Sequence, residues 1–260
     1  FVMAPMVHWP EAMMTYDETD KVLFSADAFG TFKALNGNIF NDEVDFDRDW
    51  LDEARRYYTN IVGKYGMQVQ NVLKKAASLD IRMLCPLHGP IWRTDLDYII
   101  GKYDTWSRYE PEVKGVMIAY ASMYGNTENM ADVFAAMLAE EGVKDIRMHN
   151  ISKTHVSELI ADSFKYSHIV LAAPTYNNGI YPLMDNYLED MKALALQNRT
   201  VAVLGNGTWA PQSTKLITAK VAEMKNMTLL DTSVTIKSSL KDAQLEELKS
   251  VSRQIAEEVL

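Results

Sequence analysis

Apolar residues in the second half of the chain come in short unbroken runs. The runs are GVMIAYA from position 115, DIRMHN from 145, HIVLAAP from 168, RTVAVLGN from 199 and TLLDTSVTI from 228. Between them, near 126–141, 155–166, 181–196, 213–225 and from about 241, apolar positions recur with the helical period. A run such as IVLAA has no polar alternation, as a strand covered on both faces requires. Five such strands separated by helices predict a doubly wound parallel sheet, an α/β domain complete in itself. The first half has a different rhythm. It predicts strands at 2–7, 12–16 and 22–26, a turn at 17–21, one long helical stretch over 47–79, a strand at IRMLCP and a helix over 95–109. The polar segment 108–114, broken by Pro111 between Glu110 and Glu112, marks the boundary, giving domains 1–110 and 111–260. Repeats and low-complexity runs are absent.

The opening residues carry an expectation of their own. Val2, Met3, Met6 and Val7 read as a buried strand already under way, with His8 at its end and Trp9-Pro10 stopping it. A further part of the same domain is therefore expected upstream of Phe1.

Composition narrows the function classes. Hydrophobic residues at 48% and charged residues at 23% are a globular balance. A formal charge of −9 denies the chain a broad basic surface, so nucleic acid is not expected as a partner, although a basic docking protein fits. The single cysteine, Cys85, excludes an internal disulfide and a cluster or four-thiolate iron site built from the chain's own cysteines. Any redox chemistry then needs another cofactor or another protein. Neither a run of about 18 apolar residues nor a secretory leader is visible, which predicts a soluble, cytoplasmic protein without membrane contact.

Three segments carry candidate chemistry in the second half. YASMYGNTENMA sets Ser122, Met123, Tyr124, Gly125, Asn126 and Thr127 between a buried strand and a helix. There the backbone N–H groups and helix dipole make an anion site, and the two hydroxyls add donors without charge. One glycine and no lysine match neither the dinucleotide fingerprint nor the P-loop, so a terminal phosphate fits better than a pyrophosphate. An ordinary turn capped by Asn126 or Thr127 accounts for this stretch equally well on its own. Two further strand ends favour the ligand. Pro174, Thr175, Tyr176, Asn177, Asn178 and Gly179 follow the third strand, and Gly205, Asn206, Gly207, Thr208, Trp209 and Ala210 follow the fourth. Each pairs small backbone donors with one aromatic, Tyr176 or Trp209, suited to a flat ring system. Ligands of open parallel sheets sit at this edge. Together these loops resemble flavodoxin, and the resemblance, spanning 115–260, implies FMN and a strand order of 2-1-3-4-5. The GNGTWAP loop departs from the glycine-richer aromatic loop of related proteins.

In the first half, His88 in CPLHGP is held between Pro86 and Pro90, and Asp27 in LFSADAFG ends an apolar strand, where an unpaired acid is costly. With His8 they make a histidine, aspartate and histidine set suited to iron or zinc, although any domain of this size holds some such trio by chance. His149, His155 and His168 are assigned no function. This half looks like the C-terminal part of a metallo-β-lactamase-like αββα domain, and its fusion to a flavodoxin-like domain resembles the flavodiiron proteins. The resemblance implies that His8, Asp27 and His88 are metal ligands, the aspartate bridging two irons, with the remaining ligands on an H-x-E-x-D segment that the chain lacks. It further implies an oxygen or nitric oxide reductase, a rubredoxin or reduced cofactor as electron donor, and a head-to-tail homodimer. The chain by itself is then expected to bind FMN but not a stable iron pair. A flavin electron carrier with a metal-free remnant is the alternative, and a zinc hydrolase ranks last because it leaves the flavin domain without a role.

Overall fold

Contacts divide the computed structural model, which describes all 260 residues, into two units, Phe1–Glu110 and Pro111–Leu260, each with its own core. In the first unit β1 (Val2–Met3), β2 (Met13–Asp17), β3 (Val22–Phe24) and β4 (Met83–Cys85) form one sheet in that order. The hairpin between β2 and β3 turns on Asp17, whose Oδ1 accepts from the backbone N–H groups of Thr19 and Asp20 at 2.8 and 3.2 Å. β3 and β4 are parallel, because a helical crossover separates them. The strand predicted over 2–7 stops at Met3. Ala4 still donates to the Ala12 carbonyl, but Pro5 has no N–H to continue the ladder. His8 consequently lies in a turn beyond the strand.

The single helix predicted over 47–79 is also corrected. The crossover is α1 (Phe46–Asp49), α2 (Leu51–Tyr57), a π turn Tyr58–Val62, a 3-10 turn Gly63–Tyr65 and α3 (Gly66–Ala76). Two glycines within four residues weaken a continuous helix. Successive residues on an α-helix diverge by about 100°, and the widened π turn accommodates Tyr57 and Tyr58 side by side in the core. With α4 (Leu96–Ser107) these segments bury Trp50, Tyr103 and Trp106.

The second unit runs β5 (Val113–Tyr120), α5 (Asn126–Glu140), β6 (Ile146–Asn150), α6 (Val156–Lys165), β7 (Tyr166–Tyr176), β8 (Gly179–Ile180), α7 (Pro182–Ala193), β9 (Arg199–Asn206), α8 (Ser213–Ala222), β10 (Met227–Leu229), β11 (Val234–Ile236) and α9 (Asp242–Val259). Its main sheet follows β10-β9-β7-β5-β6, all parallel, which is the expected 2-1-3-4-5 order. Ile169 through Ala173 are fully buried, as their unbroken run requires. The fifth strand, expected as one run, is two. β10 pairs with the start of β9 and β11 with its end. Asp231 and Ser233 between them are exposed and poor strand formers, and the edge strand is interrupted there. The strand order reverses at β5, with β6 on one side of it and β7 on the other, and a crevice opens at the carboxyl ends of β5 and β7.

One buried histidine makes this unit pH-sensitive. His168 is 5% exposed, with Nε2 at 3.1 Å from Glu258 and Nδ1 at 2.9 Å from the Ser167 hydroxyl. Burial lowers its pKa, against the opposing pull of Glu258. Below its ordinary value of 6.5 the unfolded chain therefore takes a proton that the folded chain refuses. Stability is expected to hold above that pH and to fall as pH drops through it. Thermal melts at stepped pH should show His168→Asn flattening this acid-side decline, and an unchanged slope would refute the assignment.

Candidate functional site

The crevice of the second unit is built by three strand ends. After β5 the chain turns through a loop in which the Gly125 N–H donates to the Ser122 hydroxyl at 3.1 Å. Gly125, at φ +83°, is the residue before α5, and no side chain caps that helix. Asn129 is the first helical N–H with a backbone acceptor, the Gly125 carbonyl, so the preceding N–H groups face the crevice mouth unsatisfied by the helix. After β7, Asn177 and Asn178 both take left-handed backbone angles, 48° and 59°, forming a two-residue hairpin into β8. The Thr175 hydroxyl accepts from the N–H groups of Gln212 and Ser213 at 2.9 and 3.1 Å, binding this strand end to the start of α8. After β9, the Gly207 N–H donates to the Ile236 carbonyl at 3.1 Å.

These ends enclose a cavity of about 540 Å³ lined by Met123, Tyr124, Asn126, Thr127, Pro174, Thr175, Tyr176, Asn177, Asn178, Asn206, Gly207, Thr208, Trp209, Ala210 and Ser238. That volume is in the range of small-molecule and cofactor sites. Four expected residues stand off the wall: Ser122 and Gly125 shape their loop, Gly179 belongs to β8 and Gly205 to β9. Ser238 was not expected, though its place just past β11, at the same sheet edge, was a usable signal. The wall carries no charged side chain. Tyr176 is 41% and Trp209 86% exposed, leaving both rings free to cover a planar group. Beneath the loop, burial and then a 2.9 Å hydrogen bond to Glu128 push the Tyr120 phenol up to about 12, so it stays protonated and ties down the one carboxylate in the first turn of α5. An anion bound here would meet neutral donors and a helix N-terminus.

In the first unit, residues 25–30 coil tightly after β3. The Ser25 hydroxyl donates to the Ala28 carbonyl at 2.8 Å, and Ala26 and Phe29 take φ of 53° and 67°. Such strain gathers at ligand sites. The coil turns Asp27 between two imidazoles. His8 Nε2 lies 3.2 Å from its Oδ2, and His88 Nε2 lies 3.7 Å from its Oδ1. His88 Nδ1 is 2.8 Å from the Thr31 carbonyl, which can only accept, so Nδ1 is the protonated nitrogen of the neutral tautomer, in which the lone pair is on Nε2. A Cβ at position 30 would stand 2.4 Å from His88 Cε1, which is why glycine occupies it. Tyr57 packs edge-on against the His88 ring at 4.6 Å, with its buried hydroxyl left without a partner. Burial, and then Asp27, raise its pKa beyond the usual tyrosine range. The two histidines address opposite oxygens of one carboxylate. They do not converge on one point, and no group of three or more His, Cys, Asp or Glu side chains is set to hold a metal ion as it stands.

The donor set nonetheless suits iron chemically. Two imidazole nitrogens, one with its tautomer held by a backbone carbonyl, and a carboxylate with one oxygen turned to each are mixed nitrogen and oxygen ligation. No helix is long and apolar enough to cross a membrane.

Residues 1–89 match the family described as ODP family beta lactamase, and residues 118–250 match flavodoxin. The anaerobic nitric oxide reductase flavorubredoxin of Aeromonas hydrophila is 30% identical over 262 residues, covering 98% of this chain and 51% of that protein. The rubredoxin oxygen:oxidoreductase of the anaerobe Desulfovibrio gigas superimposes with a TM-score of 0.90 at 29% identity, covering 99% of this chain and 64% of that one. A flavo di-iron protein from Thermotoga maritima gives 0.87 at 26% identity, covering 100% and 63%. The chain spans less than two thirds of the length of each of these proteins.

Proposed function

Because the chain belongs to the flavodiiron protein family, we propose that it binds FMN in the crevice of Pro111–Leu260 and contributes His8, Asp27 and His88 to a diiron centre. The whole protein then reduces O2 to water, NO to N2O, or both, with a rubredoxin or a reduced cofactor as donor. In this reading residues 1–110 are the C-terminal part of a metallo-β-lactamase-like diiron domain and residues 111–260 its flavodoxin-like partner. The observation that carries the reading is the uncharged cavity at the end of three parallel strands, closed at one side by an uncapped helix N-terminus.

FMN, when bound, interconverts electron-pair and single-electron transfer. The protein's own residues supply the rest. The first N–H groups of α5 and the Thr127 hydroxyl would hold the phosphate, and Tyr176 and Trp209 would cover the ring and limit water around it. Thr175 ties the end of β7, and with it the hairpin of Tyr176, to the start of α8. His8, Asp27 and His88 would hold the irons, and Thr31, by bonding His88 Nδ1, leaves Nε2 facing Asp27.

A second reading is a flavin electron carrier whose first unit holds no metal, and the failure of any three donors to converge favours it. Iron, zinc and FMN per chain, measured together with anaerobic consumption of O2 or NO under a reduced donor, separate the two. About one FMN with iron and gas consumption supports the reductase. FMN without metal or turnover supports the carrier, and absence of both cofactors overturns both.

The proposed head-to-tail dimer would set one chain's FMN beside the partner's irons. A chain altered at Thr127 mixed with one altered at His88 should then recover activity. Random pairing makes half the dimers mixed, each with one intact pair of sites, so about a quarter of the normal rate is expected. Verified mixed dimers without recovery would refute transfer between subunits.

A further inference from the structure

Asn206 closes β9 with its side chain buried, and the two ends of its amide are held in opposite senses. Oδ1 accepts from the Ser238 N–H at 3.1 Å, while Nδ2 donates to the Ser238 carbonyl at 3.0 Å. A backbone N–H can only donate and a carbonyl can only accept, so Ser238 decides which end of the amide is which. The remaining Nδ2 proton is directed at the Thr127 hydroxyl oxygen, 3.2 Å away. An amide nitrogen does not accept, so the Thr127 oxygen must, and the hydroxyl's own proton is left for another acceptor. Thr127 is 2% exposed, is the second residue of α5 and lines the cavity, as Ser238 does.

We infer that Asn206 is a positioning residue: by donating to Thr127 it keeps that hydroxyl as a hydrogen-bond donor turned to the cavity, aimed at the phosphate of the flavin. The inference rests on the FMN reading above and deepens it. Asn206 touches no phosphate in this account. It sets the polarity of a group that does, and it ties the first turn of α5 to the segment after β11.

Flavin-free chains are titrated with FMN and with riboflavin, which keeps the ring and lacks the phosphate. Asn206→Leu, close in volume and without hydrogen bonds, should weaken FMN about tenfold and leave riboflavin within about twofold of normal. Asn206→Asp puts an acceptor where Nδ2 stood, draws the Thr127 proton away from the cavity and adds charge, so FMN should weaken further than in Asn206→Leu. In a Thr127→Val background, Asn206→Leu should add nothing, because the hydroxyl it orients is gone. The phosphorus NMR line of bound FMN should shift in Asn206→Leu. Equal losses of FMN and riboflavin would reduce Asn206 to a structural brace and overturn the inference, as would an unchanged FMN affinity or losses that add in the double variant. If circular dichroism shows Asn206→Leu misfolded, the isosteric Asn206→Asp decides by the same ratio. A wild-type chain that binds neither flavin overturns the FMN reading and this inference together, whereas the other adverse outcomes, with FMN bound by the wild type, overturn this inference alone.

Discussion

Riboflavin should bind the flavin-free chain at least about a hundredfold more weakly than FMN. The expectation follows from what the anion end of the cavity contains. It has the N–H groups ahead of Asn129 that find no acceptor within α5, the Thr127 hydroxyl, and the positive end of a 15-residue helix. A hydrogen bond to a charged group contributes about 1.5–3 kcal/mol net, so two of them already account for about 3 kcal/mol, a factor of about one hundred. The wall has no lysine or arginine to attract an anion nonspecifically, so the preference should be one of geometry. Inorganic phosphate should accordingly compete with FMN and leave riboflavin binding unaffected. Fluorescence titrations with both flavins provide the measurement. Equal affinities would mean that the loop before α5 is an ordinary turn, and would remove the main support for a flavin mononucleotide at this edge.

Arg199→Ala should destabilise the second unit by about 3–5 kcal/mol. Arg199 begins β9 and is 1% exposed. Its guanidinium donates to the carbonyls of Ser163 and Phe164 at 2.9 and 2.6 Å, and to those of Gln197 and Asn198 at 2.9 and 3.1 Å. Ser163 and Phe164 are in the last turn of α6, whose carbonyls have no partners within the helix, so Arg199 acts as a cation cap from another element. Burial lowers its pKa to about 9, against the pull of Glu112, which leaves it charged at neutral pH. Truncation strands several buried acceptors at about 1–3 kcal/mol each and opens a cavity, with some of the loss recovered by relaxation and entering water. Lysine supplies a point charge without the fork that reaches both sets of carbonyls, so Arg199→Lys should recover only part of the loss. Urea unfolding followed through the second unit tests this, and a loss below about 1 kcal/mol would show that the carbonyls are satisfied without the guanidinium.

Both predictions depend on features that differ in how far they could be read from residues alone. The parallel sheet was legible because a strand buried on both faces leaves its mark within a few residues, as in Ile169 to Ala173. The cavity wall was legible for a topological reason. Parallel strands send every carboxyl end to one edge, so the loops after Tyr120, at Pro174 and at Asn206 had to meet. The last strand obeys the same rule, which is why Ser238, just past β11, joins the wall.

The short settings around His8, Asp27 and His88 are legible only through family resemblance. Nothing in their spacing brings a turn after β1, a coil after β3 and a loop after β4 together, and only the folded sheet sets both imidazoles against Asp27. The break of the long helix before α3 was half legible, since Gly63 and Gly66 weaken it in the sequence, but the π turn ahead of them answers to the packing of Tyr57 and Tyr58 among Tyr103, Trp106 and His88, which are distant in the chain. The division of the fifth strand depends on its pairing with two ends of β9. Periodicity and strand polarity are local or topological and are written into neighbouring residues. The sense of an amide at Asn206, the proton on His88 Nδ1 and the cap that Arg199 places on α6 are set by single partners far along the chain, and those exist only once the tertiary structure has formed.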